Sequence, residues 1–274
     1  MSITSCNICL SDRVELSEEF DSFSIMKCLN CGHGQVDPIP DQKLLDKLYN
    51  SVEYYASHMN YNFETINNSG IELEVEKNKR IHSERLDVYL QECKTMLEIG
   101  CGGGFALKGF EQMGLEAEGI ETSDQASRFA TDKLGMNVHH QSFETYSTSK
   151  KYDLVMLNHV LEHFIDPVGM APKLASLLNE SGYLYIGVPD YGSFDRKRFG
   201  KQWPAYAHYH ISYFTATSLK ILFGKHGLVP VRSYRFLSEK VPRLLRRILY
   251  HSPFYASSVK LLSGRNIHMV FRKN

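Results

Sequence analysis

The chain is predicted to be an α/β protein: a seven-stranded, mostly parallel sheet with helices on both faces, preceded by a small four-cysteine module. Three observations predict this. Strand-like and helix-like segments alternate from residue 93 to the end. A glycine-rich turn, Gly100-Cys101-Gly102-Gly103-Gly104, joins the first of those strands to the first helix. Two C-x2-C pairs stand near the start, at Cys6/Cys9 and Cys28/Cys31. Alternation of strand and helix implies crossover connections and a sheet covered on both sides.

The segments divide the chain into a module at 1–40, a helical linker or lid at 41–92 and a main domain at 93–274. In the first, each C-x2-C pair lets two thiolates of one knuckle reach a common ion, and the two pairs complete a tetrahedron. Gly32 follows the second pair, where a knuckle needs a permissive backbone. Four thiolates leave no open position, so the expected Zn2+ is structural, held by Cys6, Cys9, Cys28 and Cys31. The linker reads as two helices. "PDQKLLDKLYN" has Asp41 as N-cap and Leu44, Leu45 and Leu48 on one face, and "GIELEVEKNKRIHSERLDVYLQE" carries apolar residues among charges. Between them "SVEYYASHMNYNF" either packs on the main domain, the preferred reading, or forms a flap over a pocket.

In the main domain the strands are expected at "TMLEI", "EAEGI", "MNVHH", "YDLVML", "YLYIGV", "LVPVRSYRF" and "NIHMVFR". Helices are expected over 105–113, 124–134, 167–178 and 216–226. Ligands of such folds bind beyond the carboxyl ends of the strands, where the strand order reverses.

The glycine turn limits the ligand. A dinucleotide would want a glycine at its sixth place, which here is Phe105. Glu98 precedes the turn by two residues, and a carboxylate there repels pyrophosphate but suits an ammonium or sulfonium group. S-adenosylmethionine carries both and no phosphate. The bare backbone of Gly100, Gly102 and Gly103 lets a ligand lie close to the chain, and the amides of Gly104 and Phe105 can face a carboxylate. Glu121 ends the second strand, where an acidic residue accepts hydrogen bonds from ribose hydroxyls.

These stretches, "LEIGCGGG", "GIETS", "YDLVMLNHVLEHFIDP" and "GYLYIGVPD", resemble the class I S-adenosylmethionine-dependent methyltransferases over residues 93–274. The resemblance implies a Rossmann-like fold. It places Glu98, Gly100 and Gly102 at the methionine end of the cofactor and Glu121 at the ribose, with Thr122 beside the adenosine. Ser142 and Phe143 would border the adenine, Asn158 and His159 the transferable methyl, and the "LEH" of Glu162 and His163 would support the site from behind. The leader "CNIC…CLNCGHGQVDPIP…LLDKLYNSVEYY" resembles the zinc-binding leader of one branch of these enzymes. That branch acts largely on small molecules, including sugars and cell-surface glycan precursors.

Methyl transfer to a hydroxyl or a carbon acid needs a proton removed. "WPAYAHYHISYF" supplies His208 and His210, which share a face if the stretch is a strand. Two histidines there could also hold a metal, but no third ligand stands at a helpful spacing. The other reading is an aromatic packing segment. The stretch resembles the "YHEHxSYF" pattern of zinc-leader sugar C-methyltransferases, whose final histidine is the base. His210 matches it, while Ala207 and Tyr209 stand where that pattern has its helping tyrosine and glutamate. His210 is thus the expected base, with His208 beside it.

Formal net charge is zero, yet residues 196–274 hold sixteen Lys/Arg and one acidic residue, Glu239. Arg196, Lys197, Arg198 and Lys201 precede the histidines, and "EKVPRLLRRILYHSPF" reads as a basic amphipathic helix. This points to an anionic, phosphate-bearing small-molecule acceptor or peripheral contact with an anionic membrane; the other reading is a bipolar surface whose two signs pair across the fold, with the basic helix packed on its own domain. A zero overall charge and one tryptophan argue against nucleic acid as the partner. No apolar run reaches the ~18 residues of a membrane span, and the start has no signal-peptide core, so the cytosol is the expected compartment. Two other functions stay open at this point: a nucleic-acid modifier, and a non-catalytic module that keeps the cofactor fold.

Overall fold

Two sheets organise the described residues of this computed structural model, namely 3–41, 43, 45, 62–237, 245, 248 and 263–274. The first sheet is small and begins with β1 (Val14–Glu19), β2 (Ser24–Cys28) and β3 (Gly34–Asp37). A long helix follows, α1 (Asn68–Leu90), whose first turn is capped by the Asn67 side chain accepting from the Gly70 amide.

The main domain then alternates as its apolar pattern demands. It runs β4 (Thr95–Ile99), α2 (Phe105–Gln112), β5 (Glu116–Glu121), α3 (Asp124–Leu134), β6 (Asn137–His140) and β7 (Tyr152–Asn158). After a 3-10 turn at Leu161–His163 come α4 (Pro167–Ser176), β8 (Leu178–Pro189) and the short α5 (Phe194–Phe199). The chain closes with β9 (Ser212–Tyr213), α6 (Ala216–Gly224), β10 (Leu228–Leu237) and β11 (Ser263–Lys273). The large sheet has the order β10-β11-β8-β7-β4-β5-β6. Pairings among β4 to β8 are parallel, while β11 joins β8, and β10 joins β11, antiparallel.

Both faces of this sheet are covered, and the period of two in its strands decides which side chain meets which layer. Leu97, Val155, Leu157, Leu184, Ile186 and Met269 share one core with Leu174 of α4 and Leu222 of α6. Their sequence neighbours Met96, Leu154, Met156, Tyr183, Tyr185 and Val270 share the other with Val75 of α1, Phe110 of α2 and Phe129 of α3. Among the described residues, no helix is long and apolar enough to cross a membrane.

The expected seven strands are present and differ only at their ends. Of the linker's two helices, the second is α1. The first falls largely outside the described residues, as does most of the tyrosine-rich stretch, and the basic helix around 241–249 does so apart from Leu245 and Ile248.

The small sheet departs from the expected division. Its order is β1-β2-β3-β9, so its fourth strand comes from residues 212–213, inside the main domain. Gly34 pairs with Tyr213 and Gln35 with Ser212, antiparallel. A Cβ on Gly34 would lie 2.9 Å from a Tyr191 ring carbon and 3.1 Å from Tyr213 Cβ, so only glycine admits this approach. Other ties close the seam. Thr215 Oγ1 donates to the Cys31 carbonyl at 2.8 Å, and Lys225 Nζ to that of Ile8 at 2.7 Å. Arg196 lies 3.9 Å over the Tyr191 ring and reaches Glu18 at 3.3 Å.

His82 lies on the buried side of α1, against Phe110 and Tyr185. Burial, helped by Arg85, pushes it down to about 3 from the ordinary 6.5. The unfolded chain therefore takes up a proton there below about 6.5 that the native protein resists. This histidine costs no stability above that pH and destabilises the fold progressively as pH falls toward about 3. Its contribution is up to about 1.4 kcal/mol per pH unit. Urea denaturation across that range should give a shallower acid limb for His82→Leu than for the parent; equal limbs would refute the assignment.

Candidate active site

The carboxyl ends of β4, β5 and β7 meet where the strand order turns back on either side of β4. A cavity of about 630 Å³ opens there, and Glu98, Gly100, Gly102, Glu121, Asn158 and His210 are among its lining residues. This is the crevice that such a topology leaves for a ligand.

The glycine turn is held open by the end of β5. The amides of Gly100 and Cys101 both donate to the Ile120 carbonyl, at 2.8 and 3.1 Å. The Gly102 amide donates to Glu121 Oε2 at 2.8 Å, and Ser123 N to Glu121 Oε1 at 2.8 Å. Gly100, Gly102 and Gly104 have φ of 68°, 53° and 76°, the left-handed region where other residues are strained. Gly100 is also wedged by packing, since a Cβ there would lie 2.5 Å from Val160 Cγ2. One expectation needs correction. The Gly104 amide donates to the Cys101 carbonyl at 3.0 Å, so it closes the turn instead of facing a ligand.

Glu98 lies at the floor of the crevice, 5% exposed, and its Oε2 is buried with no hydrogen-bond partner among the described residues. Burial pushes its carboxyl well above the usual range, and the charge of Glu121 adds to the effect. A buried carboxyl so placed, beside a second carboxylate and bare backbone, is an electrostatic seat for a cationic group.

The other cofactor-binding residues expected from sequence also line this cavity: Thr122, Ser142, Phe143 and His159. Phe143 is buried and stacks on Phe164 with ring centroids 5.8 Å apart. Asn158 ends β7 with its Oδ1 buried and without a partner among the described residues. His159, with φ of 58°, places Nδ1 3.3 Å from Glu162 Oε1 and Nε2 3.2 Å from Asn266 Nδ2.

Farther along the cavity wall, lined there by His163 and His210, the 3-10 turn after β7 meets the loop before β9, and the buried Glu162 adjoins them. Glu162, His163 and His210 each offer a ligand atom within 4.8 Å of the others. Burial opposes ionisation of Glu162, but the His159 hydrogen bond and the neighbouring imidazoles outweigh it and hold the carboxyl at about 2. His210 is pushed down to about 4, by burial first and by His163 next, so it is neutral at neutral pH. Its Nδ1 lies 2.7 Å from the Ala205 carbonyl. A carbonyl can only accept, so Nδ1 carries the proton and Nε2 keeps its lone pair. Such a nitrogen can take a proton or bind a metal.

His208 is not part of this corner. The stretch expected as a strand is a pair of turns, one closed by His210 N donating to the Ala207 carbonyl. The Tyr213 hydroxyl locks it, accepting from the Ala207 amide and donating to the Ala207 carbonyl. Alternation of faces is therefore lost, and His208 stacks on Phe23, centroids 5.2 Å apart, with Nε2 near the Pro38 carbonyl. The residue that sequence reasoning undervalued is Glu162. The sequence pattern gives it only a supporting place and offers no third ligand near the histidines. Its signal was the "LEH" triplet itself, a buried-type position holding an acid at the end of a central strand.

The four leader cysteines converge as well. Cys6 Sγ lies 3.6 Å from Cys31 Sγ and Cys9 Sγ 3.5 Å from Cys28 Sγ, and all four sulfurs fall within 4.8 Å of one another. A zinc–sulfur bond of ~2.3 Å puts tetrahedral sulfurs roughly 3.8 Å apart, so the donor set fits that ion.

A family described as a methyltransferase domain matches residues 59–233. The ubiquinone biosynthesis O-methyltransferase of Serratia proteamaculans (strain 568) is 28% identical over 121 residues, 40% of this chain and 50% of that protein. That of Nitrosomonas europaea is 30% identical over 102 residues, 35% of this chain and 43% of that protein. The chain thus spans about half the length of these curated relatives. Among solved structures, a SAM-dependent methyltransferase from Archaeoglobus fulgidus aligns with TM-score 0.55 and 20% identity, over 73% of this chain and 94% of that one. Magnesium protoporphyrin IX methyltransferase from Synechocystis PCC 6803, solved with bound SAM, aligns with TM-score 0.55 and 15% identity, over 87% and 99%. At such identities the likeness is one of fold.

Substituting Gly100→Ala should destabilise the protein by about 1–3 kcal/mol, through the left-handed backbone and the clash with Val160. Gly114→Ala, at φ of 94° but with nothing within 4 Å of its Cβ, isolates the backbone part. Equal losses in denaturant titrations would show that the wedge at Gly100 is immaterial.

Proposed function

The chain belongs to the methyltransferase-domain family, and on that premise we propose that it transfers a methyl group from S-adenosylmethionine to a small anionic acceptor. The observation that carries this reading is Glu98: a buried carboxyl whose Oε2 has no hydrogen-bond partner among the described residues, beside Glu121 and the glycine turn. That arrangement fits an amino acid amine and a ribose and disfavours a pyrophosphate. S-adenosylmethionine supplies a methyl on a sulfonium, already activated for displacement. The protein contributes alignment and activation of the acceptor.

Glu98, Gly100 and Gly102 would hold the methionine end, and Glu121 the ribose hydroxyls. Thr122, Ser142 and Phe143 would border the adenosine. Asn158 and His159, at the end of β7, would lie near the methyl. His210, with Glu162 and His163, is assigned to acceptor activation, and the acceptor atom we favour is a hydroxyl oxygen. The relatives named O-methyltransferases support oxygen, and a neutral imidazole lone pair suits a hydroxyl. The sugar, nucleotide-sugar or glycan-precursor class rests on the resemblance of the four-cysteine leader. The Arg265 guanidinium, lining the same cavity, supports a negatively charged acceptor. A zero formal charge disfavours nucleic acid. Cys6, Cys9, Cys28 and Cys31 are assigned a structural Zn2+; metal content of one zinc per chain, lost in Cys28→Ser, is the expected measurement.

Calorimetric titration tests the cofactor. S-adenosylmethionine should bind and NAD should not, and Glu121→Ala should weaken binding at least tenfold. An ammonium favours ionised Glu98, so affinity should rise with pH through the raised range of that carboxyl, and Glu98→Gln should remove the dependence. Preference for NAD would end the proposal. His210→Ala should slow turnover about a hundredfold or more with cofactor affinity intact. Unchanged turnover would remove His210 from the chemistry.

A further inference from the structure

We infer that Glu162, His163 and His210 bind one divalent first-row transition cation at the acceptor end of the cavity. The site is distinct from the four cysteines in both place and chemistry. It offers one carboxylate oxygen and two imidazole nitrogens, a harder donor set than thiolate and one suited to manganese, iron or zinc. The three ligand atoms already lie within 4.8 Å of one another. Bonds of about 2.1 Å place neighbouring donors roughly 3–4 Å apart, so small side-chain shifts complete the shell.

Two further observations point to a bound ion. Glu162 is 1% exposed, its Oε1 is engaged by His159, and its Oε2 is buried with no hydrogen-bond partner among the described residues. A buried carboxylate oxygen left unmatched is costly unless a cation or a donor meets it. Both imidazoles are also oriented from behind by backbone carbonyls. His163 Nδ1 lies 3.0 Å from the Tyr209 carbonyl and His210 Nδ1 2.7 Å from that of Ala205. Each contact puts a proton on Nδ1 and turns Nε2 away from that carbonyl. Such backing is what metal-binding histidines receive from their surroundings.

Three protein donors leave coordination positions open toward the cavity. On the methyl-transfer reading, an acceptor hydroxyl would take one of them, and a cation held there would ease loss of its proton to water. The oxygen would then take the methyl, with the sulfur–carbon bond broken and the thioether left behind. There His210 would activate the hydroxyl through the ion, as one of its three ligands.

The test uses the full chain with its cysteine site loaded with zinc and titrates Mn2+, reading free Mn2+ by paramagnetic resonance. The expected result is one Mn2+ per chain, weakened at least tenfold in Glu162→Gln and in His163→Ala and unchanged in His208→Ala. Glu162→Gln preserves volume, and His163 is half-buried, so the two arms fail independently if one variant unfolds. No Mn2+ bound by the parent, or equal binding by both corner variants, overturns the site. S-adenosylmethionine titration of the same samples separates the readings. Mn2+ bound without the cofactor leaves the cation site and ends the methyl-transfer proposal; cofactor bound without Mn2+ does the reverse.

Discussion

The glycine-turn end of the cavity is organised by the carboxylate of Glu121. It closes two backbone segments at once, accepting from Gly102 in the glycine turn and from Ser123 at the start of α3. Charge-assisted bonds to amides are strong, and here they hold a turn whose glycines would otherwise be free to move. The same charge reaches Glu98 and helps keep that carboxyl protonated in the absence of a cation. One side chain thus sets both the shape of the cradle and its affinity for positive charge.

Much of that end was legible in the sequence. A strand, a glycine turn and a helix are local, and the acid two residues before Gly100 needs no tertiary information to be noticed. The parallel sheet was equally plain, because its strands are apolar on both faces and its helices are spaced between them. The outer end was less legible for a physical reason. Glu162 and His210 are 48 residues apart, and their meeting depends on how a loop turns, not on a period. The turn around Ala207, locked by Tyr213, broke the alternation that would have paired His208 with His210. A two-residue strand such as β9 carries no pattern that sequence reasoning can find, yet it decides where the leader docks.

The two ends divide their work by chemistry. At the inner end, buried carboxyls and bare backbone would, on the proposed reading, select a ligand by positive charge and close approach. At the outer end the neutral imidazole of His210 and the ionised carboxylate of Glu162 lie close together, with Arg265 and His210 lining the same cavity. Asn158 and His159, at the end of β7, line the same cavity. Both ends rest on the sheet, so the distance between them is set by strands and not by flexible linkers.

The pairing of β3 with β9 has a consequence for how the chain is made. The ribosome delivers β3 about 175 residues before β9, a delay on the order of ten seconds or more at ordinary elongation rates. A leader sheet formed in that interval would expose an unfilled edge, open to pairing with other nascent strands. A cysteine cluster that closes early around an ion would hold the knuckles in shape until the partner strand emerges. The leader therefore acts as the first-built half of a joint that only the late part of the polypeptide completes.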